Sequence, residues 1–120
     1  ALVAAGSMVK TALKVREMLR ELGYSCTLVN ARFVKPVDEE MLDYLAKDHK
    51  LVVTMEENVK NGGFGEKVLE YYNETAASVQ VLQIALPDDY IEHGSVEVLK
   101  QEACIDAESV FKQIVARYLP

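Results

Sequence analysis

Residues able to do chemistry crowd one stretch of this chain. Glu56, Glu57 and Asn58 are followed by the glycines Gly62, Gly63 and Gly65. Glycines at the start of a helix let backbone N–H groups close on an anion, and the helix dipole favours negative charge there. The chemistry suggested is the cradling of a phosphate. The spacing argues against it. No G-x-x-x-x-G-K-[ST] run is present, and Gly63-Phe64-Gly65 does not extend to G-x-G-x-x-G. Glu56 and Glu57 would also repel a phosphate from the end of the strand that carries them. The reading that remains is structural: the glycines let a helix begin close against a sheet. Glu56, Glu57 and Asn58 are then candidates to face a neighbouring domain.

Other reactive types are scattered. His49 and His93 have no partner close in sequence, and His49 is expected as a solvent-exposed turn residue. Ser7, Ser78 and Ser95 lack a nucleophile-elbow setting. Consecutive residues of an extended segment point to opposite faces, so Glu56 and Glu57 are no acid–base pair unless the chain turns between them. Arg32 and Lys35 follow the second predicted strand. They are placed to meet Glu56 or Glu57 at the carboxyl edge of the sheet, as a salt bridge or a docking surface. Two cysteines, Cys26 and Cys104, do not make a disulfide framework. They are expected as reduced, largely buried thiols. From the residues alone, no complete active site is visible.

The elements that must position these residues alternate. Ala1–Ala5 is a short apolar run suited to a sheet buried on both faces. Ser7 is a candidate cap for a helix whose stripe is Met8, Ala12, Val15, Leu19 and Leu22, with Gly23 as the stop. Ser25–Ala31 reads as a second strand, and Pro36 keeps the following loop out of helix. Asp38 caps a short helix that buries Met41, Leu42 and Leu45, with Glu39 and Glu40 at the favourable end of its dipole. Leu51–Met55 is the third strand. Gly63 to Thr75 is the next helix, with Val68, Leu69 and Tyr72 on one side. Val79–Ala85 is the fourth strand. Tyr90–Gly94 is expected as a short extended piece, and Ser95 caps another helix. Asp106 caps the last one, which carries a stripe of Val110, Phe111, Ile114, Val115, Tyr118 and Leu119. Short connections between alternating strands and helices predict a parallel sheet of four strands with helices on both faces, in the order 2-1-3-4.

Length and composition bound the rest. The chain has 120 residues, half of them hydrophobic, which suits one domain over 1–120 that buries roughly two-thirds of its unfolded surface. Lys plus Arg total 13 against 19 Asp plus Glu, a net charge of −6, so the basic footprint of a nucleic-acid binder is missing. No apolar stretch approaches the roughly twenty residues of a membrane span, and no signal peptide is visible. A cytoplasmic location is expected. The chain opens inside a strand and ends out of a helix, which suggests a domain of a longer polypeptide.

Several stretches together carry a resemblance. They are Asn30-Ala31-Arg32-Phe33-Val34-Lys35-Pro36-Val37-Asp38, Glu56-Glu57-Asn58 with Gly62-Gly63-Phe64-Gly65, Leu86-Pro87-Asp88-Asp89-Tyr90-Ile91-Glu92-His93-Gly94, and Ile105-Asp106-Ala107-Glu108-Ser109. Nearly end to end, the chain resembles the C-terminal domain of the 1-deoxy-D-xylulose-5-phosphate synthases, a thiamine-diphosphate branch of the transketolase family. The resemblance implies a homodimeric enzyme that condenses pyruvate with glyceraldehyde 3-phosphate, losing carbon dioxide, on the way to isoprenoids, thiamine and pyridoxal. It implies that thiamine diphosphate and Mg2+ are held by the preceding domains, since the family's Gly-Asp-Gly…Asn metal motif is absent from these residues. No catalytic, cofactor or metal residue is therefore carried over. The resemblance also implies an antiparallel edge strand before Ala1, without which backbone groups at that edge are left unpaired. Two other readings stand beside it. One is a free-standing flavodoxin-like module holding a nucleotide or anion at Gly62–Gly65. The other is the C-terminal domain of a 2-oxoacid dehydrogenase subunit.

Overall fold

The computed structural model describes residues 1–31, 38–59, 62–87 and 103–119, with the side chains of Asn58 and Val59 outside the description. The elements run β1 (Leu2–Ala4), α1 (Met8–Glu21), β2 (Leu28–Asn30), α2 (Glu39–Asp48), β3 (Leu51–Val59), α3 (Phe64–Glu74), β4 (Gln80–Leu86) and α4 (Ala107–Tyr118). Among the described residues the sheet has four strands in the order β2-β1-β3-β4, and every pairing is parallel, as the alternation predicts.

Period two along the strands divides the core into two layers. Leu2, Ala4, Val53, Met55, Leu82 and Ile84 face α1 and α4, where they pack on Met8, Ala12, Val15, Leu19, Val110 and Ile114. Val3 and Val52 point the other way, onto Leu42 and Leu45 of α2 and Phe64, Val68 and Tyr72 of α3. The result is a three-layer α/β/α arrangement. Leu42 and Leu45 are completely buried, and burial of each stabilises the fold by roughly 2 kcal/mol.

Local signals explain most boundaries. The Asp38 carboxylate accepts from the Met41 N–H at 3.1 Å and starts α2. Asp106 does the same for Ser109 at 3.3 Å and starts α4. Gly23 lies at φ +92°, the left-handed position that ends α1.

Other expectations need correction. Ser7 makes no side-chain cap; its backbone is already helical at φ −64°. The N–H groups of Met8 and Val9 instead bond the carbonyls of Ala5 and Gly6. Leu22 and Leu69 are 53% and 43% exposed and lie off the buried stripes. Strand β2 is shorter than Ser25–Ala31, and β3 runs four residues past Met55, because the β3–β4 ladder slips there. Met55 pairs with Ile84 and Val59 with Leu86, so three residues of β3 face one of β4. Cys104 is exposed rather than buried, in a turn at φ +59°. The extended piece at Tyr90–Gly94 and the helix capped by Ser95 lie outside the described residues. Among the described residues no helix is long and apolar enough to cross a membrane.

Candidate functional site

Strands β1 and β3 are neighbours, yet the helices that follow them lie on opposite faces: α1 on one, α3 on the other. The connections part at the carboxyl ends of the two strands. The last rung between them is the Ala5 N–H to the Met55 carbonyl, at 2.9 Å. In open α/β sheets such a switch point opens a crevice where ligands bind. Here the end of β3 at Glu56 and the start of α3 at Phe64 stand on that side of the sheet.

Glu56 decides what the start of α3 can hold. It continues the Val52, Thr54 face of β3, toward α3, and is 1% exposed. Its Oε1 accepts from the Phe64 N–H at 3.2 Å and its Oε2 from the Gly65 N–H at 2.9 Å. These are first-turn amides of α3, which have no partner within the helix. Gly63, at the cap position, has no side chain to offer them. A remote carboxylate therefore caps the helix across the crossing, held by two charge-assisted hydrogen bonds and the positive end of the dipole. Burying a charge without such partners would cost several kcal/mol. Gly62 adds a longer bond, its N–H donating to Glu66 Oε2 at 3.3 Å.

The capping needs α3 to start against the strand. A Cβ on Gly65 would stand 2.5 Å from Thr54 Oγ1, 3.1 Å from Glu56 Oε2 and 3.4 Å from Gln83 Cγ. Only glycine fits. Thr54 is fully buried, and its Oγ1 has no hydrogen-bond partner among the described residues.

An anion brought to this helix end would meet a carboxylate already on the amides. Two like charges at about 4 Å repel by about 4 kcal/mol at the effective dielectric of a protein surface. The phosphate-cradle chemistry is thus occupied from within. The same test applies to the thiamine diphosphate and Mg2+ that the family resemblance implies for the whole enzyme. The described residues do not fit them: this helix N-terminus carries its own anion, and no three His, Cys, Asp or Glu among the described residues converge on a metal position.

Glu57 is half-buried at the ladder slip. Asn58 lies in β3, with its side chain outside the described residues, as are Arg32 and Lys35 entirely. The anticipated meeting of Arg32 or Lys35 with Glu56 or Glu57 therefore lies outside them too. His93 and Ser95 are outside as well, while Ser7 and Ser78 are exposed.

His49 is not the solvent-exposed turn residue expected. It is half-buried, with Nδ1 at 3.0 Å from the Leu45 carbonyl and Nε2 at 2.9 Å from Thr27 Oγ1. The carbonyl can only accept, so Nδ1 carries the proton, and in the neutral ring Nε2 accepts from the Thr27 hydroxyl. The imidazole ties the end of α2 to the segment entering β2.

Two tyrosines of α3 bind α2. Tyr72 donates to the Leu42 carbonyl at 2.7 Å, and burial pushes its pKa up to about 12, helped by the negative Asp43. Tyr71 donates to Asp43 Oδ1 at 2.7 Å, and that bond holds it near 12 as well. At the amino ends of the strands, opposite the switch point, lies a cavity of about 500 Å³ between Leu19, Cys26, Leu51 and Ile114. Burial raises the Cys26 thiol there, which keeps it an unreactive thiol near neutral pH.

The transketolase C-terminal domain model matches residues 1–110. The chain is 52% identical over 115 residues to the 1-deoxy-D-xylulose-5-phosphate synthase of Lachnoclostridium phytofermentans, covering 95% of this chain and 18% of that protein. It is 38% identical to the synthase of Clostridium tetani, over 95% of this chain and 18% of that one. For Shouchella clausii the identity is 39%, over 97% and 18%. The chain thus spans under a fifth of the length of these relatives. Among solved structures, a split-gene transketolase described as an inactive beta4 tetramer superimposes with a TM-score of 0.85 at 30% identity, covering 98% of this chain and 37% of its own. With the sheet order, the two helical layers and this match in hand, the chain belongs to the transketolase C-terminal domain family.

Proposed function

We propose that residues 1–120 are the C-terminal assembly domain of a 1-deoxy-D-xylulose-5-phosphate synthase, a transferase that joins pyruvate to glyceraldehyde 3-phosphate with loss of carbon dioxide. The observation that carries this reading is the 52% identity over 95% of the chain to a protein of that name. On this reading the enzyme is a cytoplasmic homodimer, its thiamine diphosphate and Mg2+ sit on the preceding domains, and the isolated domain has no activity. The domain stiffens the subunit and packs against those domains, with Arg32, Lys35, Glu57 and Asn58 as the candidates for that contact; Glu56, buried on the Phe64 and Gly65 amides, is turned away from it. The inward turn of Glu56 supports an assembly role over a nucleotide- or anion-binding one, since the helix end that would receive the ligand holds a carboxylate.

The test is a chimera in which this chain replaces the matching segment of the Lachnoclostridium phytofermentans synthase. The chimera is expected to stay dimeric and to form product within about threefold of the parent rate. A folded, dimeric chimera without condensation activity sinks the family-specific reading. A thousandfold loss of turnover in Glu57→Ala, with folding and dimerisation intact, sinks the assembly role by making Glu57 part of the chemistry. Saturable, stoichiometric binding of FMN to the isolated chain would favour the binding-module alternative.

A further inference from the structure

The cavity of about 500 Å³ at the amino ends of the strands is walled by Leu19 of α1, Cys26, Leu51 of β3, Ile114 of α4 and Leu119 just past it. A space of that size holds a small ligand or several side chains. Its walls are mainly apolar, so an apolar occupant gains most by entering it. Ala1 and Leu2 line it too, which puts the entry into β1 in its wall.

The backbone at that entry is fixed. The Ala1 nitrogen donates to the Leu51 carbonyl at 2.8 Å, and the Ala1 carbonyl accepts from the Val53 N–H at 2.8 Å. Ala1 therefore already belongs to the parallel ladder with β3. A peptide leading into it continues the line of β1 out of the amino end of the sheet, past the cavity. Period two then sets its side chain. Leu2 and Ala4 face the layer of α1 and α4, while Ala1 and Val3 pack with the layer of α2 and α3. The residue directly before Ala1 falls on the face of Leu2, the face that Leu19 and Ile114 cover.

We propose that this cavity seats the polypeptide entering β1: the residue directly before Ala1 carries an apolar side chain that packs between Leu19, Cys26, Leu51 and Ile114. The inference rests on the reading that other domains precede this one, and it names where their connection enters the fold. A free apolar ligand is the competing occupant. Covalent position separates the two. The entering peptide starts one bond from the cavity wall, so its packing carries none of the translational and rotational cost that a free ligand bears.

The experiment uses the native full-length polypeptide that ends in this chain. Cys26, in the cavity wall, is the probe, and the exposed Cys104 is the internal reference. Alkylation of both thiols by iodoacetamide is followed by mass spectrometry in wild type and in variants with the residue directly before Ala1 replaced by glycine or by aspartate. Cys26 should react at least tenfold faster in the glycine variant, with Cys104 within twofold of wild type. Aspartate brings a charge into an apolar site and should lower Tm further than glycine does. Cys26→Leu carries the test if neither variant folds. Its bulkier side chain overpacks a filled cavity and should lower Tm by at least about 2 °C.

A glycine or a charged residue directly before Ala1 in the native polypeptide overturns the proposal. So does a Cys26 rate within twofold of wild type in the glycine variant, or a Cys26→Leu polypeptide at least as stable as wild type. Saturable binding of the apolar dye ANS to the native polypeptide, abolished in Cys26→Leu, would hand the cavity to a free ligand instead. A wild-type polypeptide that does not condense pyruvate with glyceraldehyde 3-phosphate sinks the enzyme reading, and the alkylation rates would still decide how the chain enters β1.

Discussion

Gly65→Ala should destabilise this domain, although alanine is the better helix former. In an exposed helix the change stabilises by up to about 1 kcal/mol. Here the new methyl would stand 2.5 Å from Thr54 Oγ1 and 3.1 Å from Glu56 Oε2. Thr54 cannot move aside, because it is β-branched, fully buried and on an interior strand. The helix start must retreat instead, by about 0.9 Å to reach an ordinary 3.4 Å contact. That retreat stretches the 2.9 Å bond from the Gly65 N–H to Glu56. Overpacking costs about 1–3 kcal/mol, and weakening a hydrogen bond to a charged group adds about 1 kcal/mol. Set against the propensity gain, the net loss is about 2 kcal/mol, or roughly 8 °C in Tm for a chain of this size. Urea unfolding followed by circular dichroism reads it as a midpoint lowered by about 1 M at unchanged slope. Thr54→Ala removes the obstructing oxygen, so the double variant should recover at least about 1 kcal/mol relative to the sum of the single losses. A Gly65→Ala domain as stable as wild type, or strictly additive losses in the cycle, refutes the close-packed start of α3.

Three other outcomes follow from the same coordinates. Asp38→Ala removes the acceptor for the Met41 N–H and should lower stability by about 1 kcal/mol, read as a Tm drop of roughly 4 °C. Glu56→Ala strands the Phe64 and Gly65 amides and should cost about 3 kcal/mol; formate at tens of millimolar should restore part of the lost Tm, chloride should not, and wild type should respond to neither. Tyr72 has a folded pKa raised to about 12 from its ordinary 10, so its contribution is complete below pH 10 and is lost as pH rises toward 12. Urea midpoints between pH 8 and 12 should fall less steeply in Tyr72→Phe than in wild type, and equal slopes would remove Tyr72 as the cause.

The sheet order was legible because four β-branched or aliphatic runs alternate with helical stripes, and short crossovers leave few topologies. Asp38 and Asp106 were legible because a cap bonds an amide three residues on, within reach of sequence reading. The misses have a common physical form. His49 looked exposed because its partner, Thr27, is 22 residues away on another element. Leu69 looked buried because helical spacing gives a stripe but not its edges, and the strands under α3 cover Val68 and Tyr72 without reaching Leu69. Strand β3 outran Met55 because the ladder slip accommodates the glutamates that polarity alone takes for a loop.

Glu56 shows how near the sequence came to the site. Period two on β3 places Glu56 with Val52 and Thr54, on the face that α3 covers, and the separation of Glu56 from Glu57 onto opposite faces follows from the same rule. Polarity argued the other way, since a glutamate beside glycines reads as solvent-exposed. The conflict is resolved by the helix end. An ionised carboxylate is expelled from an apolar interior, but not from a place where two free N–H groups and a helix dipole converge. The glycines and the glutamate are therefore one feature: Gly65 brings the amides within reach, and Glu56 occupies them. A crossing that looks like an anion receptor is, in this chain, already liganded by its own strand. The two amides that a phosphate would use at the start of α3 are thereby already taken.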